Sequence, residues 1–482
     1  MEKLLIKGGK NLSGEIDCSG AKNAALPVIA ASILSSNDIT LKNLPYLQDI
    51  TTMFELIGSM GADISLDERM NFRLNTSNLS NLEARYELVK TMRASILVLG
   101  DVNCSGAKNA GLPIIAATIL LEKTIEIENL PHLKDISTML ELLNSMGSEI
   151  NFLESGGIEI NSSNINLPEA RYELVKTMRA SVLVMGPLLA KYGKAKISQP
   201  GGCNIGTRPI DFHLKGLEMM GAKIESDKKF IYLKAQKLHP IDFTFPKVSV
   251  TGTENLMMAA SLTLGKTILR NCAKEPEVSE LANFLNSCGA KISGAGKSII
   301  EIEGTDCLNG KKWKILSDRI EAGTYLIAAA MTNGHVKVNN ISPSTIKIIL
   351  QKLSDSGVKI KLEKNAVEAD ATTTDLQATD ICTKPFPGFP TDMQAQFMAL
   401  NSISHGSSII EETVFENRFQ HVIELRKMGA NIDLEKNKAK IIGVPNLVGS
   451  VVKASDLRAS ASLVLAGLVG KNRTQIDDIF HI

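Results

Sequence analysis

Apolar and polar positions follow two periods along the chain, and the first hundred residues show how the two are combined. Alternating runs predict short strands, whereas an alanine-rich apolar stretch at 21–34 is long enough for a buried helix. A second, amphipathic helix is predicted between an N-cap at Asp49 and a left-handed C-cap at Gly61. The predicted order is strand, helix, strand, helix, strand, strand, with the strands at 15–18, 39–44, 62–66 and 71–75.

The same helix ending recurs along the chain as a phrase of the type Gly-Ala-x-Ile. Its copies lie roughly 70 to 86 residues apart, a spacing typical of a repeated structural unit. A single unit would leave apolar surface exposed on its helices and sheet, so several units must pack together in each domain. The sequence therefore predicts six similar βαβαββ units, whose helix-ending glycines are Gly61, Gly147, Gly221, Gly289, Gly357 and Gly429.

One pair of repeats is far more alike than the others. Residues 14–99 align without a gap to residues 100–185 and are identical at roughly 57% of positions, well above what a shared architecture requires. We interpret this pair as an in-frame tandem duplication. Only the second copy continues directly into the glycine-rich segment that begins at Gln199.

Composition narrows the class of protein. A length of 482 residues suggests two or three domains. The formal net charge is +1 and aromatic residues make up 4%, so neither nucleic acid nor an anionic membrane is an expected partner. The apolar run at the amino terminus is broken by Lys7 and is too short for a membrane span or a secretory signal.

The cysteines and glycines argue against bound cofactors. Seven cysteines are spread along the chain without a C-x-x-C pair or companion histidines, which predicts reduced thiols in a cytoplasmic protein and no metal site. The glycine-rich signatures of nucleoside triphosphate and dinucleotide sites do not occur. We expect no metal site, and nothing in these patterns indicates an ATPase or a dinucleotide-dependent enzyme.

Two lysine-asparagine pairs stand at predicted helix starts. Lys108 and Asn109 follow Ser-Gly, and Lys22 and Asn23 occupy the same place in the first copy. Free backbone N–H groups and the helix dipole favour an anion there, and the lysine adds a full charge. A phosphate cradle is one interpretation, and a solvated lysine at a helix terminus is the other.

The segment 199–211 has the composition of a loop that closes over a ligand, with three glycines and two prolines around Cys203 and Arg208. A thiol beside a cation can have a lowered pKa and serve as nucleophile or proton donor. The alternative is an inert small apolar residue.

Acidic residues mark two further predicted helix starts. Asp392 lies in Phe-Pro-Thr-Asp-Met-Gln, and Asp456 is followed by Arg458 in Asp-Leu-Arg-Ala-Ser. Each acid either caps its helix or has a role in a site, and the Asp456–Arg458 pair could be a local ion pair.

Together these motifs resemble the UDP-N-acetylglucosamine 1-carboxyvinyltransferases, the enolpyruvyl transferases of peptidoglycan synthesis. The resemblance covers nearly the whole chain from about residue 100, and the first 100 residues match its beginning separately. It rests on S-G-A-K-N-A, K-T-M-R-A-S, P-G-G-C-N-I-G-T-R-P, K-V-S-V, F-P-T-D-M-Q-A-Q-F, T-V-F-E-N-R-F and D-L-R-A-S-A-S, in this order.

The resemblance implies a fold and a domain plan. The fold is α/β (α+β), a two-domain inside-out α/β barrel with helices inside each domain and substrates in the cleft between them. We expect residues 14–317 to form the first domain with four units. Residues 1–13 and 318–482 are expected to form the second domain, whose last unit is incomplete.

The resemblance also implies a reaction, the transfer of the enolpyruvyl group of phosphoenolpyruvate to the 3′-hydroxyl of UDP-N-acetylglucosamine with release of phosphate. It implies no metal or organic cofactor for this reaction. Cys203 matches the general acid that epoxide antibiotics trap, and Asp392 matches the base for the sugar hydroxyl. Lys108, Asn109, Arg179 and Arg208 match residues that hold phosphoenolpyruvate. The remaining matches are Lys22, Asn23 and Arg93 as first-copy counterparts, Arg208, Pro209, Ile210, Asp211, Phe212, Lys247, Val248, Ser249, Val250 and Val414 toward the UDP-sugar, and Asp456 and Arg458 in the cleft.

Three departures from the family pattern carry expectations. Thr251 stands where some relatives have glycine, and the duplication adds a fourth unit, of which we expect the first copy to be displaced. The sequence stops at Ile482, where the family continues with an arginine that contacts phosphoenolpyruvate. We therefore expect weakened activity and exposed apolar surface on Leu463, Val464 and Leu465.

Alternatives to an active transferase remain at this point. They are an impaired paralogue that only binds UDP-sugar, a degraded reading frame, and a related transferase acting on shikimate 3-phosphate, from which the cysteine loop and D-L-R-A-S-A-S point away. The sequence carries no prediction of oligomeric state.

Overall fold

The computed structural model describes most of the chain beyond residue 100 and short pieces before it. The described residues are 39–41, 54, 57–58, 62–66, 72–75, 101–131, 133–153, 156–170, 172–175, 178–198, 210–227, 229–454, 457–472 and 474–477. The chain divides into two compact units, Met1–Asp101 and Val102–Ile482. No described helix is long and apolar enough to cross a membrane.

The described part of the first unit contains a three-stranded antiparallel sheet. Phe72–Asn75 lies in the middle, between Ile39–Leu41 and Asp63–Leu66. These strands confirm the predictions for 39–44, 62–66 and 71–75. The strand predicted at 15–18 and the helix at 21–34 lie outside the described residues.

The second copy shows the unit at greater length and confirms its predicted order. After the strand Asp101–Asn103 come the helix Lys108–Ala117 and the strand Ile125–Glu128. The amphipathic helix Lys134–Met146 follows and ends at Gly147, and the strands Glu149–Phe152 and Ile158–Asn161 complete the unit.

Sheets of one topology repeat through the second unit. In one such sheet, the strand Asp242–Thr244 pairs in parallel with Gly265–Arg270, the strand that follows the next helix. The strand Ile299–Gly304 then pairs antiparallel with both Gly265–Arg270 and Lys291–Ser293. The sheet that contains Ser407–Glu411 has the same pattern. Five described sheets have four strands, and Val451–Lys453 with Gln475–Asp477 forms a two-stranded one. In order across each sheet, the strands are Lys312–Lys314, Ile125–Glu128, Ile158–Asn161 and Glu149–Phe152; Lys223–Ser226, Phe230–Lys234, Lys194–Ser198 and Glu169–Ala170; Asp242–Thr244, Gly265–Arg270, Ile299–Gly304 and Lys291–Ser293; Lys359–Leu362, Ala366–Asp370, His335–Asn339 and Asp101–Asn103; and Ile381–Cys382, Ser407–Glu411, Lys438–Ile442 and Asn431–Glu435.

The helix-ending glycines adopt the left-handed conformation that their recurrence predicts. Five of the six are described, and their φ values lie between 86° and 111°. A side chain with a Cβ is strained at such angles, so glycine is favoured after the last helical turn. The described glycines are Gly147, Gly221, Gly289, Gly357 and Gly429.

Helices lie inside and sheets outside, which confirms the α/β class and the inside-out arrangement. Every residue of the helix Gln394–Asn401 is buried, as is every residue of Val250–Ser261 from Gly252 onward. A helix buried on all sides must stand at the centre of a core. In the described part of the second unit, the α-helices are Lys108–Ala117, Lys134–Met146, Tyr172–Val175, Met185–Tyr192, Asp211–Met219, Val250–Ser261, Pro276–Ser287, Arg319–Met331, Lys347–Asp355, Gln394–Asn401, His421–Lys427 and Leu457–Val469.

Two hydrophobic cores succeed one another along the second unit. The first contains buried residues between Ala107 and Ile315, and the second contains Cys104 and residues from Ile320 onward. One strand departs from the predicted division. Asp101–Asn103 was expected in the first domain, but it pairs beside His335–Asn339 in a sheet of the second core, and the first core receives Lys312–Lys314 instead.

The expectation of exposed apolar surface near the end of the chain is wrong for two of three residues. Leu463 and Leu465 are buried in the second core, whereas Val464 is 40% exposed. Their helix, Leu457–Val469, packs against the helices Gln394–Asn401, Arg319–Met331 and His421–Lys427. Its burial therefore comes from neighbouring helices of the same core.

Candidate active site

Asp392 is the centre of a cluster of charged side chains in the described part of the second core. It lies in the 3-10 turn Thr391–Met393, directly before the helix Gln394–Asn401. Its Oδ1 accepts a hydrogen bond from Arg418 Nη2 at 2.5 Å, and its Oδ2 accepts one from Arg458 Nη2 at 3.1 Å. Both oxygens of one carboxylate are thus engaged by separate guanidinium groups.

The charges around Asp392 decide its protonation. Burial alone would raise the pKa of this carboxyl group. The guanidinium groups of Arg458 and Arg418, with a further contribution from Arg319, outweigh burial and hold the pKa well below its usual range. Asp392 is therefore an ionised carboxylate, and it is a weak base as long as both arginines stay on it.

Arg319 extends this cluster toward the first core. It begins the helix Arg319–Met331, is 8% exposed, and pairs through Nε with Glu277 Oε1 at 2.9 Å. Burial would lower the pKa of Arg319, but the charge of Glu277 outweighs burial and raises it. Glu277 lies on Pro276–Ser287, a helix of the first core, so the ion pair joins the two cores.

Lys108 begins its helix where the chain crosses between the cores. Ala107 N donates to Leu316 O at 2.8 Å, and Gly106 forms an antiparallel bridge with Ser317. A Cβ on Gly106 would lie 1.7 Å from the carbonyl oxygen of Asn129, so only glycine permits this approach. The crossing fixes the start of the helix relative to the segment that leads into Arg319.

The side chain of Lys108 has a partner. Its Nζ lies 2.9 Å from Asp135 Oδ2, and the lysine side chain is 20% exposed. The simple alternative of a freely solvated lysine is therefore wrong, and the phosphate cradle stays a prediction. Asn109, the next residue, is exposed at the first turn of the helix.

The residues predicted to face the UDP-sugar lie at two further helix starts. Ile210 precedes the helix Asp211–Met219, with Asp211 exposed and Phe212 half-buried. Ser249 caps the helix Val250–Ser261 by accepting a hydrogen bond from Gly252 N at 3.1 Å. Lys247 is exposed, and Val248 and Val250 are half-buried.

These two helix starts are joined by contacts that the sequence does not indicate. Thr251 Oγ1 lies 3.2 Å from His213 Nε2, and His213 Nδ1 lies 2.9 Å from Asn255 Nδ2. Asn255 Nδ2 also donates to Val182 O at 3.0 Å. The Thr251 hydroxyl therefore contacts a histidine that is not among the predicted site residues.

Part of the predicted site lies outside the described residues. Arg179 begins the 3-10 helix Arg179–Val184, but its side chain is not described. Val414 is half-buried and follows the buried Glu412. The predicted site residues outside the described part are Lys22, Asn23, Arg93, Cys203, Arg208, Pro209 and Asp456.

Sequence reasoning missed Arg418 and Arg319. Arg418 is inside the quoted motif T-V-F-E-N-R-F, but nothing in its spacing links it to an acid 26 residues earlier. Cys272 and Cys288 are buried, which raises the pKa of their thiols to about 12 and about 11. Among the described residues, no group of three or more His, Cys, Asp or Glu side chains is placed to hold a metal ion.

Comparison with known proteins identifies the family. The family model of EPSP synthase (3-phosphoshikimate 1-carboxyvinyltransferase) matches residues 6–100 and 97–482. UDP-N-acetylglucosamine 1-carboxyvinyltransferase of Coxiella burnetii is 53% identical over 384 residues, which are 80% of this chain and 88% of that protein. The enzyme of the same name from Hydrogenovibrio crunogenus is 51% identical over 383 residues, covering 80% and 92%.

Solved structures agree on the fold. The enolpyruvyl transferase NikO from Streptomyces tendae superposes with a TM-score of 0.71 at 21% identity, covering 80% of this chain and 91% of that one. EPSP synthase from Acinetobacter baumannii superposes with a TM-score of 0.62 at 18% identity, covering 78% and 91%. With this fold and with relatives more than half identical, the chain belongs to the enolpyruvyl transferase family, among the UDP-N-acetylglucosamine 1-carboxyvinyltransferases.

Proposed function

We propose that this chain transfers the enolpyruvyl group of phosphoenolpyruvate to the 3′-hydroxyl of UDP-N-acetylglucosamine and releases phosphate, the first committed step of peptidoglycan synthesis. The observation that carries the proposal is Asp392, an ionised carboxylate held between two arginines at a helix start, in a chain 53% identical to an enzyme of that name. The proposed place of action is the cytoplasm.

The reaction needs a base and an acid in succession. The 3′-hydroxyl oxygen bonds to C2 of phosphoenolpyruvate, its proton goes to Asp392, and C3 gains a proton from an acid. The tetrahedral adduct then loses a proton from C3 and phosphate from C2, which restores the double bond. We assign the acid to Cys203, a thiol in the glycine-rich segment that is predicted to form a loop and that also contains Arg208.

Binding of the anionic donor would change the basicity of Asp392. Two arginines hold its pKa low, so the carboxylate accepts a proton poorly in the arrangement described. A phosphate or carboxylate group of phosphoenolpyruvate that attracts Arg418 or Arg458 weakens this effect. The base would then gain strength only when the donor is present.

We assign phosphoenolpyruvate to the start of the Lys108 helix. Lys108 and Asn109 stand at its first turn, where backbone N–H groups and the helix dipole favour an anion. Arg179 and Arg208 would add positive charge. The present partner of Lys108 is Asp135, and a phosphate dianion would compete with that single carboxylate for the ammonium group.

The second copy, rather than the first, is proposed to form this site, and a strand at its edge supports the choice. Lys312 Nζ lies 2.9 Å from Glu126 Oε1 and 2.8 Å from Glu128 Oε1, on the strand paired with Lys312–Lys314. The first copy has Thr40 and Lys42 at these two positions. Its sequence therefore offers Lys312 no carboxylate and one like charge.

A buried residue favours the second copy more strongly. Leu121 is 1% exposed and forms a bridge with Leu308 of the first core. The first copy has Ser35 at the position of Leu121. Replacing a buried leucine by serine loses about 2 kcal/mol of transfer free energy and buries a hydroxyl.

The acceptor is assigned to the segments Ile210–Phe212, Lys247–Val250 and Val414, with Asp456 and Arg458 beside it. Support comes from the two helix starts at Asp211 and Val250, where the helix dipoles favour a diphosphate. The hydroxyl of Thr251 is hydrogen-bonded to the ring of His213.

One assay tests the function. Purified protein should release inorganic phosphate from phosphoenolpyruvate only when UDP-N-acetylglucosamine is present, and a Cys203→Ala variant should not. Binding of UDP-N-acetylglucosamine without phosphate release above that control would indicate the impaired paralogue. Turnover with shikimate 3-phosphate instead would show that the acceptor is wrong.

A further inference from the structure

Glu412 is a buried carboxylate outside the residues so far assigned to the reaction. It follows the strand Ser407–Glu411 and is 2% exposed. Its Oε1 accepts hydrogen bonds from Thr383 Oγ1 at 2.9 Å, Val414 N at 2.8 Å and Phe415 N at 3.1 Å. Its Oε2 accepts one from Thr391 Oγ1 at 2.7 Å.

The bond to Thr391 leads to the base. A hydroxyl has one hydrogen, and Thr391 donates it to Glu412, so its lone pairs are free to accept. Arg418 Nη1 donates to Thr391 Oγ1 at 3.0 Å while its Nη2 donates to Asp392. Glu412 thus fixes the direction of the Thr391 hydroxyl hydrogen. The Thr391 oxygen in turn holds the guanidinium group of Arg418, which bonds Asp392.

The bonds to Oε1 lead to the acceptor segment. The backbone N–H groups of Val414 and Phe415 both point to this oxygen, which fixes the turn after the strand. Thr383 Oγ1 donates to the same oxygen and accepts from Thr413 N at 2.9 Å. Val414 is the residue of this turn assigned to the UDP-sugar.

We infer that Glu412 is a positioning residue that holds the base Asp392 and the acceptor segment at Val414 in one fixed relation. The inference rests on the proposed function. Glu412 Oε2 bonds the turn that carries the base, and Oε1 bonds the turn assigned to the sugar. A single carboxylate therefore links the two turns. All four donors are neutral, and only an acceptor on both oxygens satisfies them.

The principal test is Glu412→Gln. An amide retains only one acceptor oxygen. Its NH₂ group, which is a donor, then faces either the Thr391 hydroxyl or the two backbone N–H groups, so that hydrogen bond is lost. We expect kcat to fall about 10- to 100-fold, as for a displacement of about 1 Å at the reacting groups. The KM for UDP-N-acetylglucosamine should also rise, because the turn at Val414 loses its anchor.

Two single-bond variants separate the sides. Thr391→Val removes the link to Arg418 and should lower kcat with little effect on the KM for UDP-N-acetylglucosamine. Thr383→Val loosens the other side and should raise that KM more than it lowers kcat. Thr379→Val is the matched control, because it is also a buried threonine of the second core and its hydroxyl bonds Ser356 at 2.9 Å.

The outcomes distinguish the inference from the function. An inactive wild type would contradict the proposed function itself. An active wild type with Glu412→Gln unchanged in kcat and both KM values would overturn the inference. If Glu412→Gln does not fold, Thr391→Val and Thr383→Val decide: equal effects on both parameters, or effects no larger than those of Thr379→Val, would mean that Glu412 only stabilises the fold.

Discussion

At the scale of single residues, Asp392 is a carboxylate that is hydrogen-bonded to two arginines and lies directly before a helix. Its two arginine partners keep it ionised, so an asparagine there removes both the proton acceptor and the negative charge. We expect Asp392→Asn to lower kcat about 100- to 10,000-fold, the range for loss of a general base. Phosphate release measures this, with Asp380→Asn, an exposed acid of the same core, as control. A rate near that of the wild type would exclude Asp392 as the base.

Glu254 presents the opposite case, a carboxyl group held neutral. It is 1% exposed, and burial, followed by the charges of Glu277 and Glu275, raises its pKa well above the usual range. A raised folded-state pKa means that the native state binds the proton more tightly than the unfolded state, whose pKa is about 4.3. Stability contributed by the protonated group is therefore lost as the pH rises above that value.

The prediction for Glu254 is a pH-dependent gain in stability. Glu254→Gln keeps the shape and cannot ionise, so its melting temperature should exceed that of the wild type increasingly from pH 5 to pH 8. Near pH 4 the two should melt alike, because glutamate is protonated in the native state. A difference that is constant with pH would contradict the assigned protonation.

At the scale of elements, two nearly identical sequences, around Lys22 and around Lys108, compete for one role. The proposed assignment to the second copy rests on Leu121 and on the pairing of Lys312 with two glutamates. Each of the two Lys312 ion pairs contributes less than about 1 kcal/mol to stability. The choice between the copies, however, depends only on the difference in free energy between the two arrangements. We expect Lys108→Ala to abolish binding of phosphoenolpyruvate and Lys22→Ala to leave it nearly unchanged.

Calorimetric titration of phosphoenolpyruvate in the presence of UDP-N-acetylglucosamine measures both variants. Loss of binding in Lys22→Ala alone would transfer the role to the first copy. The combined change Glu126→Thr and Glu128→Lys, which gives the second copy the residues of the first, should lower the stability of the full chain.

At the scale of the whole second unit, the ion pair between Arg319 and Glu277 connects the two cores. Both residues are less than 10% exposed, so Glu277→Gln leaves a buried guanidinium without the carboxylate that it pairs with. Such a change typically costs about 3–5 kcal/mol, and urea unfolding should detect it. The exposed pair Lys266–Glu301 is the control, for which Lys266→Ala should cost less than about 1 kcal/mol. Equal losses for the two pairs would contradict the importance of burial.

What the sequence determined by itself depends on near neighbours. Apolar spacing predicted the order of strands and helices in the unit, and the recurring glycines predicted the left-handed helix ends seen at Gly147 and Gly429. These features follow from backbone sterics and from burial of one face, which act over a few residues. The family, and with it the position of Asp392 at a helix start, could also be inferred from motifs.

Only the tertiary structure decided which distant groups meet. Arg458 reaches Asp392 across 66 residues, and His213 reaches Thr251 across 38, although no local pattern marks either pair. The strand Asp101–Asn103 likewise joins the second core rather than the unit in which its sequence repeats. Strands and charged groups that are far apart in sequence meet only when a whole core packs together. Asp392, which has no arginine near it in sequence, therefore gains its two arginine partners only in the folded chain.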